Sequence, residues 1–222
     1  MLLNLIDRES ELNSKMNLME QIGDIDIYLL DQILKGRITK DMRILDAGCG
    51  SGRNLVYFLR NGYEVFAVDK SETAIRSVQL LGARLSQTWT NEHARVGTIE
   101  QMRFARESFD FVISNAVLHF AENELHFQQM LNELWRVLKP GGLLFVRLAS
   151  TLGIEDQIEP LGDGRYIQPD GSTRFLVNEA KLIKLTDELN GILFEPLKTV
   201  VVAGQRSMST WCVEKIKALD DL

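Results

Sequence analysis

The stretch Ile44-Leu-Asp-Ala-Gly-Cys-Gly-Ser-Gly-Arg-Asn54 decides how the rest of this chain is read. Before it, Met42–Asp46 is a short apolar run that ends in an acid; after it, Arg53–Asn61 reads as a helix closed by Gly62. Gly48, Gly50 and Gly52 let the backbone turn sharply and lie flat against a ligand, because glycine enters left-handed conformations without a steric penalty. The helix beyond is expected to present free N–H groups. Working outward, Tyr63–Val68 is a β-branched and aromatic run that ends at Asp69, 23 residues after Asp46. An acid at the end of that neighbouring strand accepts hydrogen bonds from ribose hydroxyls. A dinucleotide turn follows G-x-G-x-x-G and carries no acid, whereas Arg53 stands where the last glycine is needed and Asp46 would repel pyrophosphate. The turn suits a nucleoside with a cationic head.

The remaining chain continues the alternation. Ser71 is an N-cap for a helix running to about Ser86, His93–Gly97 is a weak strand and Phe109–Ser114 a strong one. Asn123–Leu138 is amphipathic, with Leu125, Phe127, Met130, Leu131, Leu134, Trp135 and Leu138 on a helical period. Lys139-Pro-Gly-Gly142 stops it, and Leu143–Leu148 is a buried strand. Asn178–Asn190 resumes as helix; Leu193–Ala203 and Ser207–Lys215 are strands joined too tightly to be anything but antiparallel. The expectation is an α/β, Rossmann-like doubly wound sheet, mostly parallel, with a C-terminal antiparallel strand. Residues 1–222 read as one domain: a helical cap over 1–36 that includes a helix from Asp24 to Lys35, a ligand-binding core over 40–148, an irregular lid over 149–177, and a final helix with an antiparallel hairpin over 178–215.

A chain of 222 residues, 45% hydrophobic, buries a full core without staples. Its net charge of −6 argues against a nucleic-acid binder, which neutralises phosphates with Lys and Arg. Two cysteines, Cys49 and Cys212, cannot build a disulfide framework or close a zinc site, and the three histidines are too scattered for a metal centre. No apolar run approaches the ~20 residues that span a bilayer, and the first residues lack a signal-peptide pattern. These features point to a cytoplasmic protein that neither spans nor binds a membrane.

Asp46-Ala-Gly-Cys-Gly-Ser-Gly52, Asp69, Ser108-Phe-Asp110 and Leu138-Lys-Pro-Gly-Gly142, in this order, resemble the class I S-adenosylmethionine (SAM)-dependent methyltransferases. Gly52-Arg-Asn54 and Asn61-Gly-Tyr-Glu-Val65 are similar in texture to the tellurite-resistance methyltransferase group within it. The resemblance implies a seven-stranded sheet and methyl transfer from SAM to a small-molecule acceptor, leaving S-adenosylhomocysteine. It implies that Asp46, Ala47, Gly48 and Gly50 hold the methionine part, that Asp69 holds the ribose, and that Lys70 flanks adenine or is simply solvated. The acid that usually meets the adenine amine is replaced by Thr98; Ile99 packs on the ring, and Glu100 substitutes for that acid or is exposed. Ser114 and Asn115, beyond the fourth strand, line the floor near the methyl group. Their loop is not the Asn/Asp-Pro-Pro-Tyr signature of relatives that methylate nucleobase or glutamine amines.

Methyl transfer from a sulfonium needs position first and sometimes a base. His119 is the candidate general base, or alternatively a packing histidine before Phe120. Arg53, Arg147, Arg165, Arg174 and Arg206 are candidates for a clamp on an anionic or polar acceptor, with Arg147 near the carboxyl end of strand five and Arg165 in the lid. Cys49 and Cys212 read as packing residues. A SAM-binding module without catalysis is the alternative reading, and an NAD-linked oxidoreductase is disfavoured by Arg53 and the reversed hairpin.

Overall fold

A computed structural model describes residues 18–217. The part of the expected N-terminal cap within that range forms two helices, α1 (Leu18–Ile22) and α2 (Ile27–Leu34); residues 1–17 lie outside the described residues. The central sheet is built from β1 (Arg43–Ala47), β2 (Glu64–Asp69), β3 (Ala94–Val96), β4 (Phe109–Asn115) and β5 (Leu138–Ala149). Helices α3 (Val56–Arg60), α4 (Glu72–Leu85) and α5 (Glu124–Val137) connect them, and a short helical turn over Ile99–Gln101 follows β3.

Strand order is β3-β2-β1-β4-β5, all parallel, and the chain returns through a reversed strand, described below. Succession to the left of β1 and then to its right makes β1 the switch point, where the neighbouring loops diverge and leave a crevice.

The core follows from the two-residue period of the strands. Ile44, Phe111, Ile113 and Phe145 point to one face, where Leu29 of α2, Phe58 of α3 and Val78 of α4 cover them. Leu45, Val112, Leu144 and Val146 point to the other, under Phe127, Leu131 and Leu134 of α5. The expected cap at Ser71 forms, its Oγ accepting from Ala74 N–H, and Asn123 Oδ1 and Asn178 Oδ1 cap their helices by accepting from His126 N–H and Lys181 N–H.

Four local expectations change. The helix expected over Arg53–Asn61 begins only at Val56, because the preceding residues close turns of their own, Gly52 N–H to Cys49 O and Leu55 N–H to Gly52 O. Five residues of helix place no helix terminus at the glycine turn. Lys139-Pro-Gly-Gly142 does not separate α5 from the strand: β5 starts at Leu138, and the register slips between Phe109 and Phe111 to absorb the irregularity.

Residues 149–177, expected to be irregular, carry a three-stranded antiparallel sheet of β6 (Glu159–Gly162), β7 (Arg165–Ile167) and β8 (Thr173–Phe175). Asp163-Gly164, with φ of 52° and 78°, is the hairpin turn. Strands of three or four residues are too short to display a period, so only their turn residues show in the sequence. This small sheet is docked on α5, where Phe175 stacks on Phe127 with centroids 4.5 Å apart.

After α6 (Glu179–Glu188), the run over Leu193–Ala203 divides into β9 (Gly191–Leu193) and β10 (Lys198–Val202). The break falls at Glu195-Pro196, since proline has no N–H for a ladder. β11 (Arg206–Lys215) lies antiparallel between β5 and β10 and also pairs with β9, giving the expected reversed final strand and one strand more than seven.

The break also places Glu195 in the interior, 6% exposed. Lys198 Nζ at 2.7 Å, Arg37 at 2.6 Å, Lys35 and Gln32 Nε2 at 3.3 Å surround it and tie the end of α2 to the sheet. Burial opposes its ionisation, but hydrogen bonds from Lys198 and Lys35 and the charge of Arg37 hold the carboxyl at about 2. A carboxyl depressed below its ordinary 4.5 stabilises the fold fully above that value, and the contribution is lost as pH falls toward 2. Urea unfolding of the wild type is therefore expected to weaken between pH 5 and 2. Glu195→Gln should lower stability at pH 7 by on the order of 3 kcal/mol and flatten that dependence.

Candidate active site

The turn after β1 is fastened to the end of β2. Gly48 N–H and Cys49 N–H both donate to Val68 O, at 2.8 and 3.1 Å. Gly50 N–H donates to Asp69 Oδ2 at 2.9 Å, while Asp69 Oδ1 accepts from Ser71 N–H at 2.9 Å. Two glycines here have separate reasons. Gly48 has φ of 82°, and a Cβ would lie 2.4 Å from Val117 Cγ2 in the loop after β4. Gly50 has φ of 52°, and a Cβ there would meet nothing within 4 Å, so its outer side is an open cradle.

Asp46 lies beneath this turn, 1% exposed, and its Oδ2 has no partner. Burial pushes its carboxyl up to about 7; Arg53 opposes the shift and Asp69 adds to it. A buried acid with a free oxygen is a receptor for a cation. Ala47 is fully buried in the strand. Asp69 is half-buried and Lys70 exposed. Gly97 N–H donates to Asp69 O at 3.0 Å and brings Thr98 and Ile99 alongside. Ile99 is buried and Thr98 is exposed, beside a cleft of about 500 Å³ lined by Val68, Gly97, Gln101 and Phe104. Glu100 turns to α5, 3.6 Å from His126 Nε2, so it does not stand in for the missing acid.

At the ends of β4 and β5, Ser114 and Asn115 are buried; Ser114 Oγ and both polar atoms of the Asn115 amide lack partners. Register places Asn115 beside Arg147, and alternation puts both on the sheet face that carries Asp46. Arg147 is ion-paired to Asp26 and stacks 5.1 Å from the Tyr28 ring.

Asp26, Tyr28 and Asn54 belong to this site and were not singled out from the sequence. Asp26 caps α2 by accepting from Tyr28 N–H at 2.9 Å, its own N–H donates to Asn54 Oδ1 at 3.0 Å, and Arg53 lies 3.6 Å away. An acid opening a helix was a visible signal of a cap, but nothing local joins it to an arginine 121 residues on.

Two groups of candidates are corrected. His119 Nδ1 accepts from Ala149 N–H at 3.2 Å, and burial, with the Arg174 charge adding, pushes the ring down to about 4. The neutral ring thus carries its proton on Nε2 and keeps no free basic nitrogen, so His119 fixes the loop to β5 and can donate but not act as a base. The arginines do not form a clamp either. Arg147 is engaged by Asp26; Arg206 is 60% exposed and lies 3.6 Å from Asp170; Arg174 sits over the Phe120 ring at 4.9 Å; Arg165 is a half-buried residue of β7.

This is a polar crevice with a buried, unpartnered acid, at the switch point of a doubly wound sheet. Residues 45–146 match the family described as "Methyltransferase domain". The chain is 38% identical over 109 residues to a malonyl-[acyl-carrier protein] O-methyltransferase of Enterobacter lignolyticus, covering 49% of this chain and 39% of that one. It is 28% identical over 120 residues to a probable SAM-dependent methyltransferase TehB of Haemophilus influenzae, covering 53% of this chain and 37% of that one. Its fold matches a Burkholderia thailandensis 1,6-didemethyltoxoflavin-N1-methyltransferase solved with 1,6-didemethyltoxoflavin and S-adenosylhomocysteine. That match has a TM-score of 0.63 and 19% identity, over 96% of this chain and 86% of that one. Residues 45–146 are thus similar to methyltransferase domains, the fold is the one this solved neighbour shares, and the chain spans less than half the length of the two curated relatives named. Among the described residues, no helix is long and apolar enough to cross a membrane.

The residues present fit the cofactor: an orphaned carboxylate oxygen on Asp46 for an ammonium, an open cradle at Gly50, Asp69 for ribose hydroxyls and Ile99 as an apolar wall. Because Asp46 must be ionised to receive a cation, affinity for S-adenosylhomocysteine is expected to fall as pH drops below about 7. Calorimetry from pH 8 to 6 should show this slope, and Asp46→Asn should bind more weakly without it. In urea unfolding, Gly48→Ala should lose about 2–3 kcal/mol through the Val117 clash and the strained φ, and Gly50→Ala only about 1 kcal/mol through φ.

Proposed function

We propose that this chain transfers a methyl group from SAM to a small-molecule acceptor. The observation that carries this reading is the buried Asp46, with a free oxygen directly under the glycine turn that Asp69 holds open. When bound, SAM supplies an electrophilic methyl on a sulfonium whose leaving group is a neutral thioether, so the protein needs to supply position rather than a strong acid. Asp46 holds the cationic head and Asp69 the ribose. Ile99 shapes the adenine side without an acid at Thr98, and the backbone there is available for the ring edge.

The acceptor side is the patch of Asn115, Arg147 and Tyr28. Asp26 and Tyr28 at the start of α2 lie against Arg147, and in this reading the small sheet of β6–β8 and α1 close over the patch and exclude water, in the role of a lid and a cap. His119 contributes by fixing the loop between them. A small molecule is favoured over nucleic acid by the net charge of −6 and by the absence of a nucleobase-amine signature after β4. The solved neighbour that holds 1,6-didemethyltoxoflavin supports an acceptor of modest size. Cys49 and Cys212 are buried free thiols, in keeping with work in the cytoplasm.

Calorimetric titration of the purified chain with S-adenosylhomocysteine tests the reading directly, and absence of binding sinks it. Asp69→Asn keeps the shape of the side chain and weakens its acceptance from hydroxyls and from Gly50. It is expected to weaken binding by about 10–100-fold, as for loss of a hydrogen bond to a charged group. Unchanged affinity would remove the ribose assignment.

A further inference from the structure

The polar layer at the carboxyl ends of β4 and β5 has atoms with nothing to bond. Asn115 is 8% exposed, yet neither its Nδ2 nor its Oδ1 has a partner, and Nε of Arg147 beside it is likewise buried and bare. Buried amides in folded proteins nearly always find partners, and leaving one unsatisfied is costly. Retaining three such atoms side by side marks a place built for a ligand. The apolar side chains one pair earlier on the same face, Ile113 and Phe145, form a floor that cannot satisfy them.

The charge at this place is already settled. The guanidinium of Arg147 is paired to Asp26 and stacked on Tyr28, so the pair offers no free positive charge. Asp46 lies on the same face toward β1. A free carboxylate entering here would meet Asp46, and the two nearby cations, Arg147 and Arg53, are both already drawn to Asp26. What remains is a fixed pattern of two donors, Asn115 Nδ2–H and Arg147 Nε–H, and one acceptor, Asn115 Oδ1. A planar amide is complementary to a group that presents a donor and an acceptor next to each other.

We infer that Asn115 and Arg147 form the acceptor subsite for a neutral molecule that carries a hydroxyl or N–H beside a carbonyl. Asn115 Oδ1 accepts from that hydroxyl or N–H, and Asn115 Nδ2 and Arg147 Nε donate to the carbonyl oxygen. Asp26 and Tyr28 are positioning residues that hold the guanidinium edge-on. The inference rests on the methyltransferase reading and adds the class of acceptor to it.

The test uses the full chain saturated with S-adenosylhomocysteine and titrated with three probes on one ring: salicylamide, phenol and salicylate. Salicylamide is expected to bind about tenfold or more tighter than either of the others, because a site built to hydrogen-bond rejects analogues that leave its polar groups unpaired. Asn115→Ala and Asn115→Asp should each remove most of that preference and leave affinity for S-adenosylhomocysteine within about twofold. Phenol or salicylate binding as tightly as salicylamide, no binding by any probe, or an unchanged preference in Asn115→Ala would each overturn the subsite. Failure of the wild type to take up S-adenosylhomocysteine would instead overturn the parent reading. A separate measurement needs no probe. In the ligand-free chain Asn115→Leu should leave Tm unchanged or raise it; a fall of several degrees would show that the amide has a protein partner and overturn the assignment.

Discussion

The hydrogen bond from Gly50 N–H to the Asp69 carboxylate is the contact on which the site depends. With the paired bonds from Gly48 and Cys49 to Val68 O, it bends the chain over the end of β1 and holds it against β2. Everything near the crevice is placed relative to that turn. Val117 packs so closely on Gly48 that no side chain fits there, which sets the height of the loop after β4. That loop carries His119, whose bond to Ala149 N–H joins it to the end of β5. One carboxylate thus shapes the turn, and under the proposed function the same side chain couples cofactor binding to local architecture.

Charge organisation separates the two halves of the crevice. On the β1 side Asp46 is buried without an ionic partner close enough to bond it, an expense that a bound cation would relieve. On the β5 side the ion pair of Asp26 and Arg147 is complete within the protein, so its part is to fix an orientation rather than to attract. The two halves meet in one polar row on one face of the sheet, above an apolar layer that keeps water out from below. Far from this row, Glu195 gathers Lys35, Arg37 and Lys198 at the opposite end of α2. The helix is therefore clasped at both ends by charge, with its apolar side, including Leu29, pressed on the sheet.

The sequence by itself determined the doubly wound sheet, its reversed last strand, and the glycine turn with the acids that flank it. Those signals are local: a strand, three glycines and two acids 23 residues apart are read within one β–α–β unit. The cap at Ser71 was legible for the same reason, since a cap is a contact within one turn. The three short strands over residues 159–175 leave no signal because three or four residues carry no period. On the proposed acceptor side the sequence offers Asn115 and Arg147, but their partners were decided only by the tertiary structure. Asp26 meets Arg147 across 121 residues, and Asn115 meets Arg147 through strand register, neither of which leaves a mark on the residues nearby. The same holds for what was misjudged. His119 has a free ring and Arg206 a free charge when read as isolated letters. Folding gives one a backbone donor and the other an acid, and a group's chemistry follows from the partners that the fold brings to it.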